Sequence, residues 1–122
     1  MDYIHLNEMQ FFGYHGVLPE ETRLGQRFRA TVTLALDLSE AGKTDDLEKT
    51  VNYAEVYSIC KSVVEGKPFK LIESVAEQIA DEILYNFGDQ VLGVRVMLVK
   101  PDPPIHGHYA SVAVEITRGR FE

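Results

Sequence analysis

Residues 27–38, Arg27-Phe28-Arg29-Ala30-Thr31-Val32-Thr33-Leu34-Ala35-Leu36-Asp37-Leu38, decide the fold class. Phe28, Ala30, Val32, Leu34, Leu36 and Leu38 alternate with Arg27, Arg29, Thr31, Thr33, Ala35 and Asp37. A period of two puts one apolar face on a β-strand. Upstream, Tyr3 to Phe12 predicts a less regular strand with a bulge near Asn7-Glu8. The connection between them, residues 13–25 (GYHGVLPEETRLG), is too long for a tight hairpin, and long connections in small domains often carry function.

Downstream, Asn52 followed by Glu55 marks a helix start of the capping-box kind, and Val56, Ile59, Cys60, Val63 and Val64 trace one apolar helical face. Gly66-Lys67-Pro68 ends that helix. A second helix carries Ile72, Val75, Ala76, Ile79, Ala80, Ile83 and Leu84 on one side and Glu77, Asp81 and Glu82 on the other. Val94 to Val99 and a segment with Ala110, Val112, Val114 and Ile116 predict two closing strands. The order strand, strand, helix, helix, strand, strand predicts an α+β fold: an antiparallel four-stranded sheet with two helices on one face, a single domain over residues 1–122. The edge of the long second strand needs cover, and so does the face without helices. Closure with identical copies covers both, so a symmetric oligomer is expected.

With 12 Lys and Arg against 19 Asp and Glu, the formal net charge is −7. That excess argues against nucleic acid, whose phosphates need a clustered basic surface. No apolar run approaches the ~20 residues that span a bilayer, so no membrane partner is expected. Met1-Asp2-Tyr3-Ile4-His5 lacks a basic segment and an apolar signal core, and a cytoplasmic protein is the expectation. The single cysteine, Cys60, permits no internal disulfide and lies on an apolar stripe, as an inert core thiol would.

Lys100 stands out. It closes the run Val94-Arg95-Val96-Met97-Leu98-Val99 and precedes Pro101-Asp102-Pro103-Pro104. Alternation places it with Val94, Val96 and Leu98, where an ammonium is costly unless paired or at a cavity mouth. The ordinary alternative is a lysine just past the strand end, its ammonium in water. Glu73, in the first turn of the second helix, is either a carboxylate favoured by the helix dipole or one that binds an amidine-like edge through two hydrogen bonds. Tyr53, directly after Asn52, is either a half-buried helix tyrosine or a hydrogen-bonding and proton-transfer group. Glu20 and Glu21 read as loop charges. His106 and His108 form a His-Gly-His pair, but His5 and His15 are remote in sequence; no metal site is expected.

The stretches GYHGVLPEE, GQRF, TVNYAEV, LIESVAE and VKPDPPIHG occur in the order and spacing of the dihydroneopterin aldolases, and the resemblance runs from Ile4 to Ile116. It implies the four-stranded, two-helix tunnel fold, with four subunits closing a β-barrel ring and two rings stacking into a homo-octamer. It implies a pterin substrate, no cofactor, and active sites between subunits. By similarity Lys100 and Tyr53 are catalytic, Glu73 and the backbone near Ile72 bind the 2-amino-4-oxo edge of the pterin, Tyr53 closes the site from a neighbouring subunit, and Glu21 contacts the hydroxylated side chain. The residue after Ile105 varies in that family, which takes His106 out of the reaction. The implied chemistry is retro-aldol cleavage of 7,8-dihydroneopterin, with epimerisation at C2′ as the nearest relative and non-catalytic pterin binding as the alternative of a different class.

Overall fold

The computed structural model describes residues 1–122. Four strands, β1 (Asp2–Gly13), β2 (Gln26–Leu36), β3 (Gly93–Lys100) and β4 (Val112–Gly119), form one antiparallel sheet in that order. The connections hold two short helices, α1 (Pro19–Leu24) and α2 (Ser39–Thr44), and a 3-10 turn at Leu47–Lys49. The long helices are α3 (Tyr53–Val64) and α4 (Ile72–Phe87), the expected pair.

The alternation in β2 does what its period requires. Phe28, Ala30, Val32, Leu34 and Leu36 are buried, and they meet Val94, Val96 and Leu98 of β3 on the same side. Against this face α3 sets Val56, Cys60 and Val64 while α4 sets Val75, Ala76, Ile79 and Ile83. Helix α4 lies on β3 and β4, and α3 lies on β1 and on α4. Arg118 of β4 grips Glu77 of α4 through both carboxylate oxygens, Nε–Oε2 and Nη2–Oε1 each 2.9 Å. The expected β1 bulge lies where the β1–β2 register shifts between Leu6 and Met9. Glu8 there takes a φ of 49°, and its N–H donates to Thr31 Oγ1 at 3.0 Å. Burial pushes the Cys60 thiol up to about 12, which leaves it an inert core group.

Four expectations need correction. Strand β2 ends at Leu36, because Asp37 Oδ1 accepts from both the N–H (2.9 Å) and the hydroxyl (2.7 Å) of Ser39 and turns the chain into α2. Strand β2 is also interior; the free edges of the sheet are β1 and β4. The last strand starts at Val112 rather than at Ala110, since the Tyr109 hydroxyl shares its one hydrogen between the carbonyls of Ile105 and Pro103 and holds the preceding loop folded. The capping pair at α3 is half made: Asn52 Oδ1 accepts from Ala54 N–H at 3.0 Å, but Glu55 is exposed and returns no side-chain bond.

The packing separates what holds the fold from what decorates it. Ile79→Ala removes a fully buried side chain and is expected to cost about 2–5 kcal/mol. Arg118→Ala breaks a half-exposed, solvent-screened pair and is expected to leave the urea midpoint nearly unchanged. Urea titration of the two variants checks the order.

Candidate active site

A cleft of about 360 Å³ opens where the end of β3, the start of α4 and α1 converge. Its lining includes Glu21, Ile72, Glu73 and Lys100, with Val17, Leu18, Leu71 and Ile105 as its apolar walls. Four of the residues expected at the site are therefore together. Tyr53 is not among them. It is 64% exposed at the first turn of α3 and lines a separate, mostly apolar cleft of about 540 Å³ with Ile4, Leu38 and Val51.

At the centre, Lys100 Nζ donates to Glu21 Oε2 at 2.6 Å, with only 13% and 7% of the two side chains exposed. Lys100 thus follows the apolar face of β3 and is paired there, rather than reaching into water. Glu21 departs from the loop charge that its polar surroundings suggest. It sits in α1, where Oε1 accepts from Leu18 N–H at 3.2 Å and Oε2 also accepts from Gln26 Nε2 at 2.9 Å. Burial pushes its carboxyl up, but the bonds from Lys100, Gln26 and Leu18 outweigh that and hold it below the ordinary 4.5. One lone pair on Oε1 and further N–H groups on Lys100 remain for a ligand hydroxyl or a water. Glu73 is exposed to the cleft, free to meet a planar donor edge.

His15 positions this assembly without facing it. The ring is fully buried, edge-on to Phe28 and stacked on Phe69. Phe69 N–H can only donate, so Nδ1, 3.0 Å away, is the acceptor; the proton then sits on Nε2, donated to Val64 O at 2.7 Å. Burial lowers its pKa below 6.5; the Val64 carbonyl opposes this and the Lys100 charge adds to it. Gly16 N–H donates to Phe69 O at 3.0 Å, so the loop bearing Glu21 is clamped to the segment that leads into Ile72 and Glu73. Gly16 has φ 151°, and a Cβ there would fall 2.3–2.6 Å from the Glu21 carboxyl atoms. Sequence reasoning missed His15 and Gln26 as site-building residues. Their visible signal was their place inside the quoted stretches GYHG and GQRF. No group of three or more His, Cys, Asp or Glu side chains converges to hold a metal ion.

The family model described as "FolB: Dihydroneopterin aldolase" matches residues 4–117. The dihydroneopterin aldolase of Bacillus subtilis (strain 168) is 57% identical over 118 residues, covering 97% of this chain and 98% of that protein. Among solved structures, the Escherichia coli dihydroneopterin aldolase in complex with neopterin superposes with a TM-score of 0.88 at 32% identity, covering 98% of this chain and 100% of that one. A protein from Vibrio cholerae, described as a putative dihydroneopterin aldolase, superposes with a TM-score of 0.89 at 30% identity, with 98% of each chain covered.

The signs of the two lowered pKa values give a pH dependence. Both groups release protons more readily folded than unfolded, so the stability they add is present above the unfolded values and lost as pH falls. Stability is expected to decline first below 6.5 as His15 is forced to charge, and again below 4.5 as Glu21 is protonated. Urea midpoints from pH 8 to 3 should show both declines, with Glu21→Gln removing the lower one; a flat midpoint between pH 7 and 5 would contradict the role of His15. Gly16→Ala should displace the Glu21 carboxyl and destabilise the protein by about 1–3 kcal/mol, read from the same titrations.

Proposed function

The chain belongs to the dihydroneopterin aldolase family, and on that footing we propose that it cleaves 7,8-dihydroneopterin by a retro-aldol reaction, in folate biosynthesis, to 6-hydroxymethyl-7,8-dihydropterin and glycolaldehyde. The observation that carries the proposal is the nearly sealed Lys100–Glu21 pair at 2.6 Å, in a cleft that Glu73 also lines.

The reaction breaks the C1′–C2′ bond: the C2′ hydroxyl loses its proton, the aldehyde departs, and the bonding electrons pass into the ring system. The substrate supplies its own electron sink, since its C6=N5 imine becomes an enamine. Neither a lysine imine nor a Lewis acid is needed, and the protein's task reduces to anchoring the pterin and moving protons. Glu73 and the backbone near Ile72 anchor the 2-amino-4-oxo edge. Glu21 accepts from a side-chain hydroxyl through its free lone pair. Lys100 delivers a proton at N5 and exchanges one with the side-chain hydroxyl through a water. Tyr53, from a neighbouring subunit, helps take the C2′ hydroxyl proton and return one to C1′. Attack of the same enamine on the opposite face of the aldehyde carbonyl re-forms the C1′–C2′ bond and gives the C2′ epimer.

Assembly completes the site in this scheme. The apolar cleft around Tyr53 and the Glu21–Lys100 cleft lie on different parts of one chain, so a neighbouring copy is what would bring Tyr53 to Lys100. Strands β1 and β4 are free edges at opposite ends of the sheet, so copies joined edge to edge close a barrel. We take the closed form as a ring of four, two rings making the octamer. No helix is long and apolar enough to cross a membrane, and we place the reaction in the cytoplasm.

Anaerobic incubation with 7,8-dihydroneopterin, with products separated by chromatography, tests the proposal. The hydroxymethyl pterin should form in the presence of EDTA. Lys100→Ala should lower kcat by at least ~100-fold, and Glu73→Gln should weaken binding before it slows bound chemistry. Near-normal turnover by Lys100→Ala, with Tyr53→Phe inactive, would overturn the division of roles.

A further inference from the structure

Gln26 opens the inward-facing series on β2 that continues through Phe28 and Ala30, and Lys100 ends the matching series on β3. The strands are antiparallel neighbours, so the polar ends of two apolar rows meet at one end of the sheet. There the Gln26 amide contacts two acceptors through one nitrogen: Glu21 Oε2 at 2.9 Å and the carbonyl of His15 at 3.3 Å. Its other end gains nothing. Gln26 Oε1 is sealed from solvent without a hydrogen-bond partner, the one side-chain nitrogen or oxygen of the chain so placed.

An orphaned buried acceptor is destabilising, and turning the amide over offers no relief. That flip would point Oε1 at a carboxylate and a carbonyl, three acceptors face to face. The neighbours therefore fix the amide with its N–H groups toward Glu21. A side chain chosen for stability at this inward position would be apolar, like Phe28 after it. We infer that Gln26 is a positioning residue of the aldolase site: it holds Glu21 ionised and oriented toward Lys100, and acts on the substrate only through that pair. The inference rests on the function proposed above for this site.

Two consequences separate positioning from simple support. Gln26 occupies one lone pair of Glu21 Oε2 and Lys100 the other, so Oε1 is the oxygen left for substrate. Removing the Gln26 donor also favours the protonated carboxyl, which cannot serve Lys100 in the same way. The charged or titratable groups around Glu21 are Lys100 from β3, His15 from its own loop, and Lys70 and Glu73 across the cleft at the start of α4. Of these only Lys100 touches it.

The test compares kcat/KM against pH for the wild type, Gln26→Met and Gln26→Glu, all near the original side-chain length. In Gln26→Met the acid limb should move to higher pH by about one unit, with activity near the wild-type plateau regained at alkaline pH. Gln26→Glu should move it further, because two carboxyl groups then face each other. An acid limb unmoved while kcat falls uniformly would overturn the inference, and so would failure of both variants to fold. If the wild type itself does not turn over dihydroneopterin, the function above fails, and Gln26 is judged by carboxyl-13C NMR of Glu21. A Glu21 titration raised in Gln26→Met supports the positioning role; an unchanged one overturns it.

Discussion

A lysine and a glutamate 79 positions apart meet at 2.6 Å on the wall of a cleft, with little of either side chain exposed, and much of the chain is arranged so that they can. Buried ion pairs are poor sources of stability, because withdrawing two charges from water costs about as much as their attraction returns. Here the carboxylate is compensated by a backbone N–H and an amide as well as by the ammonium. The constraint runs outward from that point. Glu21 must sit against the last residue of β3, so α1 must fold back over the end of the sheet. The bend before it needs Gly16, whose missing side chain leaves the space the carboxylate fills.

The same bend explains the clamp behind it. A loop holding a partly desolvated charge would relax away unless fixed from its far side. His15 and Gly16 fix it to Phe69, three residues before α4 begins. The clamp sets two distances together, Glu21 to Lys100 and Glu21 to the Ile72–Glu73 turn, which is why the lysine and both carboxylates line one cleft. Protonating His15 would turn Nδ1 from an acceptor into a donor facing Phe69 N–H, so the clamp holds only with a neutral ring.

What the sequence disclosed followed periodicity. The period of two located β2 and the face of Lys100, the 3.6-residue period located α3 and α4, and both reflect burial against one layer. What it hid depended on partners distant in the chain. Glu21 looks solvated among Pro19, Glu20, Thr22 and Arg23, because nothing local reveals the lysine that meets it. His15 owes its role to Val64 and Phe69, 49 and 54 residues away. Asp37 ended a strand that hydropathy alone would have carried to Leu38, a local side-chain bond overriding a weak apolar signal. The expected open edge on β2 failed for another reason: strand length says nothing about sheet order. Four of the five short stretches nevertheless carry residues that line the Lys100 cleft or the separate Tyr53 cleft, and the fifth, GQRF, supplies Gln26, which donates to Glu21.

The pairing also bears on which lysine chemistry suits this cleft. A lysine that forms an imine with a carbonyl must first leave its hydrogen-bond partner and give up a proton, and Lys100 already donates to Glu21 at 2.6 Å. Imine formation would therefore begin by breaking the strongest polar contact in the site. Proton transfer asks for the opposite: an ammonium already oriented, with spare N–H groups and an ionised neighbour to receive charge as a proton leaves. A substrate with its own ring imine as electron sink makes that demand and no other, because no covalent attachment is needed to stabilise the carbanion. The Lys100–Glu21 pair is thus suited to the proposed reaction by being a pair, and a lone lysine in the same cleft would fit a different aldolase chemistry.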